Sequence, residues 1–142
     1  MAFDTVAMLS RMGWRIVRAG WKGGPAAAHV GEALISFTDF TFARWRDLPG
    51  AWLAGVRLRR SWPTQPGAIG LMLWAKPLSR RSGSISAWRS QADLERFVRS
   101  EQHVAIMRRY RAHMTGTSSL WSTSALVPEQ AIADARARLR TP

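Results

Sequence analysis

The chain contains no cysteine. Disulfides, zinc–thiolate sites, iron–sulfur clusters and thiol nucleophiles are thereby excluded together, and the absence fits a reducing compartment. Asparagine is also absent, and lysine occurs only as Lys22 and Lys76. Acidic residues are few, nine against 21 basic ones, and they are scattered rather than grouped at metal-ligand spacing. No run of about 18 uninterrupted apolar residues is present, which is what a membrane-spanning helix needs. The most apolar early stretch, Val6 to Val17, is broken by Arg11 and Arg15; these arginines, with no basic residue before the stretch, also argue against a secretory signal. No G-x-S-x-G elbow, P-loop or G-x-G-x-x-G occurs, so nucleophile-elbow hydrolysis and nucleotide binding lack their motifs.

What is present is a 142-residue chain, enough for one core, with a formal charge of +12 and eight tryptophans. The charge favours anionic partners, whether an acidic ligand, lipid or nucleic acid; a general arginine bias of the proteome explains it equally well. Nucleic acid ranks last, because no recognition motif accompanies the charge. The tryptophans are spread along the chain and read mainly as core or interface anchors.

Periodicity predicts a helix over Phe3 to Lys22, with Val6, Leu9, Met12, Ile16 and Val17 on one face and Arg11, Arg15, Arg18 and Lys22 on another. Such a basic amphipathic helix either packs on the following domain or lies on an anionic membrane surface. Ala33 to Phe42 reads as a strand. A helix follows, capped by Asp47, with Pro49 in its first turn. Gly70–Lys76 and Ser84–Trp88 form a hairpin across a turn at 77–83. Ser90 to Asp93 opens a helix, and Ser100 caps a second segment on which His103, Met107 and Tyr110 share a face. Ser118 to Val127 is the last strand, and Pro128 to Arg140 a closing helix.

The order after the first helix is β-α-β-β-α-β, the ferredoxin-like order. The expected fold is therefore α+β: an antiparallel ferredoxin-like sheet with an extra N-terminal amphipathic helix and a C-terminal helix. Residues 1–25 are expected to form the helix and linker, and residues 29–142 the main domain.

The run Ile85-Ser86-Ala87-Trp88, Arg89-Ser90, Ala92-Asp93-Leu94, Phe97-Val98, Ser100, His103 and Met107-Arg108-Arg109 resembles an uncharacterised bacterial family of the dimeric α+β barrel superfamily. Leu120-Trp121, a proline and a closing helix extend the resemblance over the C-terminal half. The superfamily includes antibiotic-biosynthesis monooxygenases, heme-degrading monooxygenases and chlorite dismutase-like heme proteins. The resemblance implies a homodimer whose sheets form a barrel, with an apolar pocket between sheet and helices. It does not carry over the catalytic set of the heme degraders. Their ligand histidine falls on Met107, their helix tryptophan on Phe97, and their asparagine has no counterpart.

The functional expectation is a cytoplasmic, monooxygenase-like oxidoreductase acting on a hydrophobic small molecule, anionic or neutral. In cofactor-independent members the substrate itself supplies electrons to oxygen, so the protein needs a dry pocket and a base. His103 is the candidate base; its structural alternative is steadying the helix bend near Ser100. Trp74, Trp88, Phe97, Met107 and Tyr110 are candidate ligand-binding residues, with plain core as the alternative for these apolar side chains. No metal is expected. No cofactor is assigned; heme with His103 as axial ligand stays open. The competing reading is a non-catalytic ligand-binding or accessory protein, peripheral to the inner membrane through its N-terminal helix.

Overall fold

A computed structural model describes residues 16–139. Five strands form one antiparallel sheet in the order β1-β3-β4-β2-β5. They are β1 (Val17–Gly23), β2 (Ala33–Phe42), β3 (Ala68–Lys76), β4 (Arg81–Trp88) and β5 (Met114–Thr123). Among the described residues four α-helices accompany them: α1 (Asp47–Arg60), α2 (Gln91–Val98), α3 (Glu101–Tyr110) and α4 (Pro128–Leu139). From β2 onward the chain runs β-α-β-β-α-β, with α2 and α3 together as the second helical layer, so the ferredoxin-like fold read from the sequence is the one observed.

β1 departs from expectation. Residues 17–22 were predicted to end a helix, yet they pair with β3, with Val17 opposite Ala75 and Lys22 opposite Leu71. The rest of that predicted helix, residues 3–15, lies outside the described residues. The basic face proposed for it cannot form as predicted, because Arg18 and Lys22 sit in the strand. Tertiary demand explains the change. β3 is buried along nearly its whole length, so its backbone groups need partners on both sides. A register shift between Ala19 and Lys22 bends β1, and the Gly20 carbonyl within it accepts from Arg59 Nε (3.0 Å) and Nη2 (2.7 Å). Arg59, near the end of α1, thus fixes the bulge from the helical layer.

The sheet separates two apolar layers. On the helix side, Trp62, Leu71, Leu73, Trp88 and Leu94 form one core, with Phe97 and Trp52 packed against it. On the far side, Ile35, Phe37, Met72, Trp74 and Ile85 pack against Ala131 and Ala135 of α4. The Arg138 guanidinium lies 3.9 Å from the Trp121 ring centroid and ties α4 to β5. The far face, where the resemblance expects a second sheet, is therefore covered by a helix of the same chain.

Local capping follows the sequence closely at two places and not at a third. The Ser90 hydroxyl accepts from the Asp93 amide (3.2 Å), and the Ser100 hydroxyl from the His103 amide (3.3 Å). Asp47, by contrast, is the first residue of α1 rather than its cap, and its carboxylate pairs with Arg44 at 2.8 Å.

Asp93 is the most buried acid among the described residues and holds the β4–α2 corner. It accepts from the Ser90 hydroxyl (2.8 Å), Arg96 (2.9 Å) and Arg89 (3.3 Å). Gly67 packs against it with φ +75°, a position where a Cβ would strike the carboxylate. Burial pushes the Asp93 carboxyl pKa up, but the bonds from Ser90, Arg89 and Arg96 outweigh it and hold the value below the ordinary 3.8. The depressed value gives the sign: the contribution is full above the unfolded-state pKa and is lost as pH falls through the folded one. Asp93→Ala should cost about 2–3 kcal/mol at neutral pH. Urea unfolding of both proteins should show the gap closing in acid.

Candidate functional site

Between the helix face of the sheet and helices α1 to α3 lies a cavity of about 150 Å³. Its roof comes from Ala51, Trp52, Gly55 and Leu58 of α1, Leu94, Phe97 and Val98 of α2, and His103, Ile106, Met107 and Tyr110 of α3. Trp62, in the turn after α1, forms an inner wall, and Met114 and Phe42 close the end nearest the start of β5. The walls are thus mostly apolar, as small-molecule sites are.

The floor differs. Strand alternation sends Ser36 and Thr38 of β2, and Ser82, Ser84 and Ser86 of β4, to this face. Register places Ser36 opposite Ser86 and Thr38 opposite Ser84. Thr38 and Ser84 hydroxyls lie 3.0 Å apart, and the Ser84 amide donates to Thr38 Oγ1 at 2.9 Å. The Trp88 indole donates to Ser86 Oγ at 2.9 Å. Between them, Gly83 is fixed by close approach, since a Cβ there would strike the Thr38 carbonyl.

His103 reaches the cavity because Ser100 starts α3 three residues earlier. Its ring lies 5.0 Å from Phe97, edge to face, and Nδ1 is 3.0 Å from the Val98 carbonyl. A carbonyl accepts only, so Nδ1 carries the proton and Nε2 is left with a lone pair. Burial pushes the imidazole pKa below its ordinary 6.5, and the Val98 bond opposes this only in part. The neutral, basic form is therefore the resting one. In an NMR titration, His103 should protonate below the ordinary imidazole value of 6.5. The same depression makes folding stability fall as pH drops from 6.5 through the folded value.

The predicted site residues are only partly brought together. Phe97, Met107 and Tyr110 line the cavity with His103. Trp88 is fully buried behind it, 5.0 Å from Trp62 and 5.2 Å from Phe97, and supports the wall without lining it. Trp74 is on the opposite face, stacked on Phe37 at 5.9 Å, so it belongs to the α4 core and not to this site. The hydroxyl floor was not anticipated. The period-two serines of Ser82-Gly83-Ser84-Ile85-Ser86 were its signal.

Among the described residues no arginine, lysine or acid lines the cavity, despite the charge of the chain. The expected anionic ligand finds no countercharge there. Heme fits poorly as well. Cofactor-sized ligands take roughly 300–1,000 Å³, and no cation is placed to meet its propionates. Among the described residues no cluster of histidine and acid side chains is arranged to hold a metal.

No family model matches the chain, and no curated protein does. Solved structures do. Similarity extends to SnoaB of Streptomyces nogalater, a cofactor-independent oxygenase, at 15% identity and TM-score 0.53, covering 68% of this chain and 98% of that one. An antibiotic biosynthesis monooxygenase matches at 14% identity and TM-score 0.51 over 66% of this chain and 99% of its own. A Bacteroides thetaiotaomicron protein of unknown function, described as a possible oxidoreductase, matches at 10% and 0.55, over 64% and 98%. The fold is thus that of the antibiotic-biosynthesis-monooxygenase-like α+β proteins. At such identities the likeness establishes the fold and leaves the chemistry to the site.

Proposed function

We propose that this protein is a cofactor-independent, monooxygenase-like enzyme acting on a neutral, largely hydrophobic small molecule in the helix-side cavity. The observation that carries this reading is His103: a half-buried imidazole with Nδ1 tied to a carbonyl and a lone pair left on Nε2, in a cavity that no charged side chain of the described residues lines. The fold shared with a cofactor-independent oxygenase supports it.

Such a site can do one thing well. Nε2 takes a proton from an activated C–H, and the electron pair left on carbon reduces dioxygen. A CH₂ and O₂ then become C=O and water, so atoms and electrons balance without an added reductant. Dry walls keep the base uncharged and the carbanion from being reprotonated by bulk water.

The test is oxygen uptake by the purified protein given 2-indanone, an enolisable ketone, with no cofactor added. Uptake above the uncatalysed rate is expected, from a protein showing no Soret band. No uptake without added heme, flavin or metal would overturn the reading.

The homodimer is part of the same proposal. Since α4 covers the far face, β5 is the element that supports pairing with a second copy: an edge strand of ten residues without charge or proline. Sedimentation should find a dimer, weakened by a proline at Ser118 or Ser119. A monomer at every concentration would remove it. No helix among the described residues is long and apolar enough to cross a membrane.

A further inference from the structure

Five hydroxyls sit on the cavity face of two central strands, where a core normally carries large apolar side chains; Ser82 donates its hydrogen to the Trp74 carbonyl at 3.0 Å, which leaves Ser36, Thr38, Ser84 and Ser86. Ser36 and Ser86 are 7% and 6% exposed, and both line the cavity. The disposition of their hydrogens narrows what they can bind. Thr38 Oγ1 already accepts from the Ser84 amide, and one hydroxyl hydrogen lies between Thr38 and Ser84. The hydrogen of the other hydroxyl in that pair has no acceptor among the described residues. Ser86 Oγ accepts from Trp88, so its own hydrogen is free. The Ser36 hydroxyl makes no hydrogen bond with the described residues. The buried indole N–H of Trp62, which lines the same cavity, also lacks an acceptor. Unmet donors in a buried wall are costly unless something supplies lone pairs.

We propose that the Ser36–Thr38–Ser84–Ser86 quartet is the seat of a carbonyl oxygen, and that the ligand is a neutral cyclic ketone. A carbonyl oxygen offers two lone pairs and no hydrogen, which matches a surface of free donors. A carboxylate would also accept, but no cation lines the cavity and burying the charge would be unfavourable. The size is that of a ring: a cavity of about 150 Å³ with apolar walls holds a benzene-sized group. The proposal rests on the cavity being the ligand site, as above, and adds which oxygen it holds. It also adds a catalytic consequence. When His103 removes a proton α to that carbonyl, the C–H bond breaks, the pair moves into a C=C bond and charge gathers on the oxygen. The floor hydroxyls then hold the enolate, as preorganised donors do for oxyanions.

Binding of three probes of one shape separates the claims: 2-indanone, indane and indane-2-carboxylate, followed by ligand-observed NMR on the full chain. The ketone should bind about fivefold or more tighter than the hydrocarbon, and the carboxylate should bind more weakly than either. Ser36→Ala breaks no bond within the described chain, so it should fold as the parent does. It should weaken the ketone about fivefold and leave indane unchanged; Ser36→Ala with Ser86→Ala should weaken the ketone further. Indane binding as tightly as the ketone, or Ser36→Ala leaving ketone affinity unaltered, would overturn the carbonyl seat while sparing the cavity. Failure of all three probes to bind would overturn both. Neither outcome depends on oxygen, so failure of the oxygenase chemistry remains separately visible.

Discussion

Replacing His103 with alanine should lower the oxygen uptake proposed for 2-indanone by about 10²- to 10⁴-fold, the contribution of a positioned base. His103→Gln should lose as much. Glutamine can keep a donor toward the Val98 carbonyl, now 3.0 Å from Nδ1, but it brings no basic nitrogen. A residue that only steadied the bend at Ser100 would tolerate that exchange, so the glutamine variant separates base from strut. In the parent protein the His103-dependent rate should be flat from neutral pH down past 6.5 and fall only below it, because burial favours the neutral ring. Unchanged uptake in either variant would remove His103 from the chemistry.

The largest stability loss is expected at Trp62. It is fully buried and meets Trp88 and Phe97 edge to face, with ring centroids at 5.0 and 5.6 Å. Trp62→Ala therefore empties the junction of three aromatic rings, where the surrounding β3, β4 and α2 cannot collapse without losing their own pairing. A cost of about 3–5 kcal/mol is expected, a large part of the roughly 5–15 kcal/mol that holds a domain folded. Trp45 is the control. It is 51% exposed and meets Arg80 at 5.5 Å. Trp45→Ala should cost no more than about 1 kcal/mol. Equal losses for the two in denaturant unfolding would contradict the core described above.

Strand β2 was legible to the residue, because its alternating β-branched and aromatic side chains have no competing helical period. The caps at Ser90 and Ser100 were legible because each is a local bond between neighbours in sequence. β1 was not. Val17 and Ile16 continue a helical period, and only the open edge of buried β3, 50 residues away in the chain, makes a strand of them. The misplaced Trp74 has a similar cause. β3 is buried on both faces, so its sequence carries no alternation to say which way Trp74 points. The turn was expected to run to residue 83, whereas the observed strand starts at Arg81 with Lys76 opposite it. Register decides the face, and a longer turn hides it. The shared face of His103, Met107 and Tyr110 was legible because helical spacing is a local fact. The floor was missed because it exists only when two strands are set side by side.

The measurement closest to the central claim is hydrogen–deuterium exchange at the α-carbons of 2-indanone, followed by NMR without oxygen. It isolates the proton transfer from everything that follows. The protein should accelerate exchange, with a pH limb below that of an exposed histidine, and His103→Gln should return the rate to background. Acceleration that survives in His103→Gln, or none in the parent protein, would contradict a proton-abstracting base in this cavity.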